Sequence, residues 1–303
     1  MKRVHIISAG DSYMCRLASA LKIKGYEVSC SGVESGSSAA GELASKGILL
    51  EELSSSAALG RPTVDYVVPS MRVLPEHPEI KKAREQGFQV MAFPDFVLRM
   101  TKDKIRVVIG DGKHPVRILS MIYRALLRQN MICDYVVMEE EKKVGSGIAL
   151  GYDARMVLLQ ATDAILFGNR PLYHAYRPHI LLLPEFGWTA SETFPSPESY
   201  AASRKELVAS IERDGKLIYN QDNPLLQELA ESVRDDITAI PYTAHKTLEE
   251  AGGISLDTRY GSIPVARYDD DFLRDLNAAR LTSRQLGVSD KDFYPLVSGF
   301  VEE

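Results

Sequence analysis

The segment Val107-Val108-Ile109-Gly110-Asp111-Gly112-Lys113-His114-Pro115 runs from an apolar strand pattern through a glycine turn and a lysine into a helical pattern. In that context backbone amides and a helix N-terminus can surround phosphate oxygens. The spacing departs from the general phosphate loop, GxxxxGK followed by serine or threonine, and His114 stands where the hydroxyl would ligate magnesium. An imidazole is a poor ligand for an ion that takes oxygen, so a main feature of nucleotide hydrolysis is missing. Judged by its own residues, the segment is an Asp-Gly turn between a strand and a helix.

Other groups able to do chemistry have simpler readings. Asp269-Asp270-Asp271 precedes a helical pattern, where acids favourably oppose the helix dipole without gathering a metal. His174 and His179 are five residues apart, unsuited to one helix face, and read as surface or interstrand residues. Glu139-Glu140-Glu141-Lys142-Lys143 reads as a solvated hairpin. Trp188 lies in Glu185-Phe186-Gly187-Trp188-Thr189, just past a strand, where an open α/β sheet holds its ligands; packing into the core explains it as well.

These groups need elements to position them, and the chain supplies an alternating series. Val4 to Ser8 reads as a buried strand, followed by Met14, Leu17, Ala18 and Leu21 at helical spacing, a stop at Gly25 and a second strand over Glu27 to Ser31. Parallel strands joined through a helix make a βαβ unit. Ser31 to Ala44 is loop or weak helix, Val64 to Pro69 a strand, Pro78 to Gln86 a helix, Phe88 to Met91 a strand, and Pro94 to Lys104 a short helix at a domain boundary. A second α/β series follows. Ile105 to Ile109 is a strand and Pro115 to Arg128 a helix, with Pro115 at the first helical position, where a missing amide hydrogen costs nothing. Met156 to Leu159, Ala164 to Phe167 and Ile180 to Leu183 read as central strands. Ser196 caps a helix through about Arg213; Lys216 to Tyr219 and Thr238 to Pro241 are strands around a Pro224 to Glu231 helix. Gly252 to Val265 reads as a hairpin, and Asp270 to Leu286 and Ser289 to Ser298 as closing helices.

The totals fit a packed protein of two domains: 303 residues, 45% hydrophobic and 25% charged. With 36 basic and 41 acidic residues the net charge is -5, so no overall positive field exists to hold nucleic acid. Cys15, Cys30 and Cys133 are widely spaced, with no CxxC, and point to a reducing compartment, the cytoplasm, without a disulfide framework or a zinc site. No apolar run approaches the roughly 18 to 20 residues that span a bilayer, and the N-terminus does not read as a signal peptide.

The segments taken in order resemble the Mur ligase family, on the side of its UDP-N-acetylmuramate:L-alanine and murein-peptide ligases. His5 to Met14 is similar to the family's H-x-x-G-x-G-G-x-G-M, Gly25 to Ser31 to G-Y-x-V-S-G-S, and Pro75 through Ala83 and Gly87 to P-E-x-N-P-E...A...G. Gly110 to Lys113 falls at the nucleotide loop G-T-H-G-K-T-T; Tyr176-Arg177-Pro178 resembles H-Y-R-P; Gly215 to Pro224 resembles G-x-L-I-x-N-x-D-D-P; Asn277-Ala278-Ala279 through Val288 looks like the last helix before the family's third domain. The resemblance implies a Rossmann-like domain over residues 1–100 and a P-loop-like central domain over 104–303. It also implies a UDP-sugar site at Gly10, Met14, Ser31 and Ser70, and a nucleotide site at Gly110, Asp111, Gly112, Lys113, His114 and Asn277.

The departures carry as much information. Ser8, Asp11 and Tyr13 replace glycines of the first loop, and Asp11 would bring negative charge to a diphosphate. The nucleotide loop is one residue shorter than the family's, with His114 and Pro115 replacing its threonines. Gln160-Ala161-Thr162-Asp163-Ala164 stands for the magnesium-binding E-A-D-E-S-D, and Thr189-Ala190-Ser191-Glu192 for D-H-x-D, so Asp163 and Glu192 are remnant acids. Acyl-phosphate chemistry needs metal to neutralise phosphate charge. The chain stops near where these ligases begin a third domain, and that domain is expected to be absent. The implied function is that of a binding or regulatory protein near peptidoglycan precursor metabolism, without ligase activity alone, holding ATP or phosphate weakly at most. Two alternatives stand beside it: a ligase or ATPase completed by a separate chain, and a dinucleotide-binding oxidoreductase. The latter lacks GxGxxG, and Ser31-Gly32 stand where its ribose-binding acid would be. Phe186, Trp188, Phe194, Phe293, Tyr294 and Phe300 would mark a surface for a homodimer or a protein partner.

Overall fold

In a computed structural model, the described residues are 2–50, 64–138, 147–162, 166–167, 170–250, 253–265 and 269–297. The chain divides into two compact units, residues 1–102 with 147–153, and 103–146 with 154–303. Residues 147–153, placed in the second domain from sequence, group with the first. There Lys24 Nζ, at the C-cap of the first helix, donates to the Gly151 carbonyl at 3.0 Å, and its ammonium lies 4.7 Å from the centre of the Tyr152 ring.

The first unit comprises β1 (Arg3–Ile7), α1 (Ser12–Ile23), β2 (Glu27–Cys30), α2 (Ser38–Ser45), β3 (Leu49–Leu50), β4 (Tyr66–Pro69), α3 (Pro78–Glu85), β5 (Gln89–Val90) and α4 (Phe93–Thr101), with β8 (Ile148–Ala149) in the returning segment. The sheet order is β3-β2-β1-β4-β5, all parallel. The order reverses between β1 and β4, so the loops after them part and leave a crevice at their carboxyl ends. The α1 helix buries Met14, Leu17, Ala18 and Leu21, the residues whose spacing marks its apolar face, and ends at Gly25 with φ of 87°. Ser31 to Ala44 proves to contain a true helix, α2, because the Ser37 hydroxyl accepts from the Ala40 amide and caps it.

In the second unit lie β6 (Ile105–Ile109), α5 (Pro115–Arg128), β7 (Cys133–Val136), β9 (Met156–Gln160), β10 (Leu166–Phe167), β11 (Arg170–Pro171), β12 (Ile180–Leu183), α6 (Pro197–Ala209), β13 (Lys216–Asn220), α7 (Pro224–Glu231), β14 (Thr238–Tyr242), β15 (Thr247–Glu250), β16 (Gly253–Thr258), β17 (Gly261–Pro264), α8 (Asp270–Gln285) and α9 (Asp290–Phe293). Six of these strands lie in the order β14-β13-β12-β6-β9-β7, all parallel. The core forms where α5 and α8 cover the sheet: Val116, Leu119, Ile122 and Leu126 of α5 pack with Phe272, Leu276 and Ala279 of α8. That packing brings the N-terminal turns of both helices to the carboxyl ends of β6, β12 and β13, where chemistry in such a sheet resides.

The structure corrects several expectations. Leu166–Phe167 is not a central strand; it pairs antiparallel with Arg170–Pro171 in a ribbon of its own, and residues 164 and 165 lie outside the described ones. The hairpin of β16 and β17 gains a third strand, β15. The last helix is the four-residue α9 followed by a 3-10 turn over Tyr294–Leu296, since Pro295 lacks the amide that would extend it. Strand β7 was not expected, because Asp134 interrupts its apolar pattern. Asp134 is nonetheless buried, with Lys104 Nζ donating to it at 2.5 Å. The acidic-basic run at 139–143 lies outside the described residues.

Candidate functional site

At the carboxyl ends of β12, β13 and β14, beside the Gly110–His114 loop and the first turn of α8, lies a cleft of about 360 Å³. Its wall on one side is the loop. The Gly110 amide donates to the Leu182 carbonyl at 2.8 Å, and a Cβ at Gly110 would sit 2.8 Å from Leu183 Cδ2. A Cβ at Gly112 would sit 2.8 Å from Pro184 Cγ. Both glycines therefore pack closely on the end of β12, Gly112 against a proline ring and Gly110 against the end of a leucine side chain. No residue from 110 to 114 has positive φ. Successive amides that converge on an anion alternate right- and left-handed conformations, and this loop lacks that alternation.

Charge in the cleft is mostly cancelled internally. Lys113, 59% exposed at its side chain, donates to Asp271 Oδ2 at 3.0 Å, and that bond raises its pKa. Arg274 lies 3.5 Å from Asp222 and 3.7 Å from Asp271. Arg117 directs Nε and Nη2 onto Asp275 Oδ2 at 2.8 and 2.5 Å, and its Nη2 is 2.9 Å from His114 Nδ1. Burial pushes the Asp275 carboxyl up to about 6 against the pull of Arg117. Tyr242 lies at the floor, and burial together with the Asp275 and Glu185 carboxylates pushes its hydroxyl up. Asp269 caps α8 by accepting from the Phe272 amide at 2.7 Å, so one acid of the triplet serves the helix while Asp271 serves Lys113.

The structure brings Lys113 and His114 into the cleft; Gly110, Asp111 and Gly112 form the loop behind them. Asn277 is elsewhere engaged, donating to the Thr243 carbonyl at 2.8 Å and accepting from Arg280 at 2.8 Å. Glu192 is exposed, and Asp163 lies outside the described residues. Gln160, where the family has a metal-binding acid, is fully buried and accepts from the Met138 amide at 3.1 Å, a structural role. No group of three or more metal-ligating side chains occurs among the described residues. His174 bonds Ser203, and His179 accepts from the Arg106 amide. Of the six aromatic residues, Phe194, Phe293 and Tyr294 are buried, Phe186 and Trp188 half-buried, and Phe300 lies outside the described residues. Sequence reasoning missed Asp275 and Tyr242; the one signal for Asp275 was its place one helical turn beyond Asp271.

In the first unit, Gly10 is exposed, while Met14, Ser31 and Ser70 are buried. Ser31 donates to Glu79 at 2.5 Å. Ser70 donates to the Asp11 carboxylate and lies 2.7 Å from the Tyr13 hydroxyl, which accepts from the Met71 amide at 2.9 Å. Arg72 donates to the other Asp11 oxygen at 3.0 Å. Asp11 and Tyr13, two of the residues that replace glycines, thus share Ser70 as a partner, and Tyr13 packs edge-on against Phe93 with ring centres 5.2 Å apart.

No protein-family model matches the chain. It is 24% identical over 241 residues to the UDP-N-acetylmuramate--L-alanine ligase of Dictyoglomus turgidum, covering 79% of this chain and 48% of the relative. The same ligase of Lachnospira eligens is 24% identical over 258 residues, 84% of this chain and 54% of the relative. Among solved structures, a UDP-N-acetylmuramate:L-alanyl-gamma-D-glutamyl-meso-diaminopimelate ligase from Neisseria meningitides superposes with a TM-score of 0.80 at 17% identity, covering 99% of this chain and 98% of that one. The chain is Mur-ligase-like. Its two units have the fold of the Mur-ligase N-terminal and central domains, as the Thermotoga maritima UDP-N-acetylmuramate-alanine ligase also shows with a TM-score of 0.64 over 99% of this chain and 69% of that one. The chain spans about half the length of the curated relatives it matches. No helix among the described residues is long and apolar enough to cross a membrane.

Proposed function

We propose that this Mur-ligase-like chain does not form amide bonds by itself and acts as a cytoplasmic binding or regulatory protein in peptidoglycan precursor metabolism. The observation that carries this reading is the Gly110–His114 loop, whose glycines are pressed onto Leu183 and Pro184 and whose lysine is engaged by Asp271. With no left-handed residue the loop lacks the alternation of an anion-binding nest, and with His114 and Gln160 at the ligand positions two magnesium contacts are lost. Residual affinity for ATP or phosphate at this loop is weak. The UDP-sugar position of the first unit is likewise occupied by the Asp11, Ser70 and Tyr13 contacts.

A second reading, a ligase or ATPase completed by another chain, is favoured by Lys113, which stands at the lip of the cleft with 59% of its side chain exposed. Titration calorimetry with ATP-magnesium, UDP-N-acetylmuramate and NADH, together with an ATP turnover assay, separates these readings. The expected result is no turnover and no tight ATP-magnesium binding. Steady turnover abolished by Lys113→Ala would overturn the binding-protein reading, and NADH binding would favour an oxidoreductase.

A further inference from the structure

The cleft beside the Gly110–His114 loop holds polar groups with no bonding partner among the described residues. Tyr242 is 3% exposed, and no residue described hydrogen-bonds its hydroxyl. Asn220, 8% exposed, accepts from the Asp222 amide through Oδ1 at 3.1 Å, which fixes the amide orientation and leaves Nδ2 toward the cleft. Asp275 takes both Arg117 bonds on Oδ2, leaving Oδ1 open. Glu185, half-exposed on the wall, makes no hydrogen bond or ion pair among the described residues. Neither the Tyr242 hydroxyl nor Asn220 Nδ2 is sealed from solvent, so two side chains more than nine-tenths buried turn their unpaired polar atoms to a single cleft, an arrangement that suits a ligand.

The chemistry of that ligand follows from the open valences. Two carboxylates accept, one amide donates, and one hydroxyl does either. The cations at the cleft, Lys113, Arg274 and Arg117, are matched by Asp271, Asp222 and Asp275, and Glu185 is left as unmatched negative charge. An anion is opposed here; a cation is not. We propose that the cleft binds a small organic cation, a primary ammonium with a neighbouring hydroxyl or carbonyl oxygen. The ammonium donates to Asp275 Oδ1 and Glu185, and the oxygen accepts from Asn220 Nδ2 and the Tyr242 hydroxyl. Phe186 lines the same wall, where an aromatic ring can attract a cation. The volume of about 360 Å³ accommodates ligands from ethanolamine to a single amino sugar. This assignment goes beyond the binding-protein reading and does not depend on it.

Trp188, the single tryptophan, follows directly on the lining residues Glu185 to Gly187 and donates its indole N–H to the Phe194 carbonyl at 2.9 Å, so its fluorescence reports on the segment next to the cleft. Titrations with ethanolamine, D-glucosamine, glucose and pyrophosphate are read by that fluorescence and by calorimetry. Both amines should saturate, at least about tenfold tighter than glucose, with no saturable response to pyrophosphate. Glu185→Gln and Tyr242→Phe should each weaken amine binding about fivefold or more while the far-ultraviolet dichroism and melting midpoint stay near those of the parent. Absence of saturation below about 10 mM amine, equal affinity for glucose, or binding indifferent to both substitutions would overturn the assignment. So would preferential pyrophosphate binding. Failure here leaves the ATP turnover result standing, since that is read on a different ligand.

Discussion

Asp11 and Asp275 are carboxylates whose surroundings have measurable consequences. Asp11 occupies the N-cap position of α1 but makes no capping bond; its oxygens go to Ser70 and to Arg72, 3.0 Å away. A diphosphate approaching that turn meets a fixed negative charge. Asp11→Asn should therefore strengthen binding of UDP-N-acetylmuramate by about tenfold in titration calorimetry; micromolar affinity in the unmodified protein would show that the carboxylate is no barrier. Tyr13 is a poorer target, because it is buried and packs on Phe93. Asp275 carries a pH signature. Its folded pKa of about 6 is above its ordinary 3.8, so folding takes up a proton between those values. The contribution to stability is complete below about pH 4 and is lost as pH rises through about 6. The stability difference between the parent and Asp275→Asn should thus fall by on the order of 2 kcal/mol from pH 4 to pH 7 in urea titrations. A difference independent of pH would contradict the burial of that carboxyl.

Elements were legible where pattern and capping agreed. Ile105–Ile109, Pro115–Arg128, Ile180–Leu183 and Pro224–Glu231 have the bounds expected from apolar runs and N-terminal prolines. Those bounds failed where a tertiary partner decided. Lys104 permits Asp134 inside β7, and the reversal at Phe167↔Arg170 turns an apolar run into a two-residue ribbon. The loop at 110–114 was legible as to residues and chemistry, but the pressure of Pro184 on Gly112 is a contact 72 positions away in sequence and has no local signal. Close packing also ranks glycine substitutions. A Cβ at Gly215 would meet Ile211 Cγ2 at 2.5 Å and the Glu212 and His179 carbonyl oxygens at 2.7 and 2.9 Å. Backbone lies on two sides and cannot yield. At Gly110 the nearest atom, at 2.8 Å, is the end of the Leu183 side chain, which can swing. Gly215→Ala should lower stability by more than Gly110→Ala, with the latter near about 1 to 3 kcal/mol in denaturant titration. The reverse order would mean that the Leu183 end is the less yielding of the two.

For the molecule as a whole, the alternation of strands and helices made both α/β units legible, and the order of motifs across them gave the Mur-ligase resemblance that no single segment carries. What sequence could not supply was the destination of the aromatic side chains near the cleft. Six aromatics gathered by chain position suggest a surface for association, since large rings bury area with little entropy loss. Three of them have their own core to fill: Phe194 packs edge-on to Tyr200 with centres 5.2 Å apart, and Phe293 and Tyr294 join the cluster beneath α8. Phe186 and Trp188 remain half-buried, and Phe186 also packs edge-on to Tyr200 at 5.0 Å. A stable interface between copies needs on the order of 800 Å² from each partner, far more than two half-covered side chains expose. Light scattering across a concentration range should accordingly give the mass of one chain, unchanged by Trp188→Ala. A mass that rises with concentration, and falls back in that variant, would place the interface beside the cleft and make Trp188 its anchor.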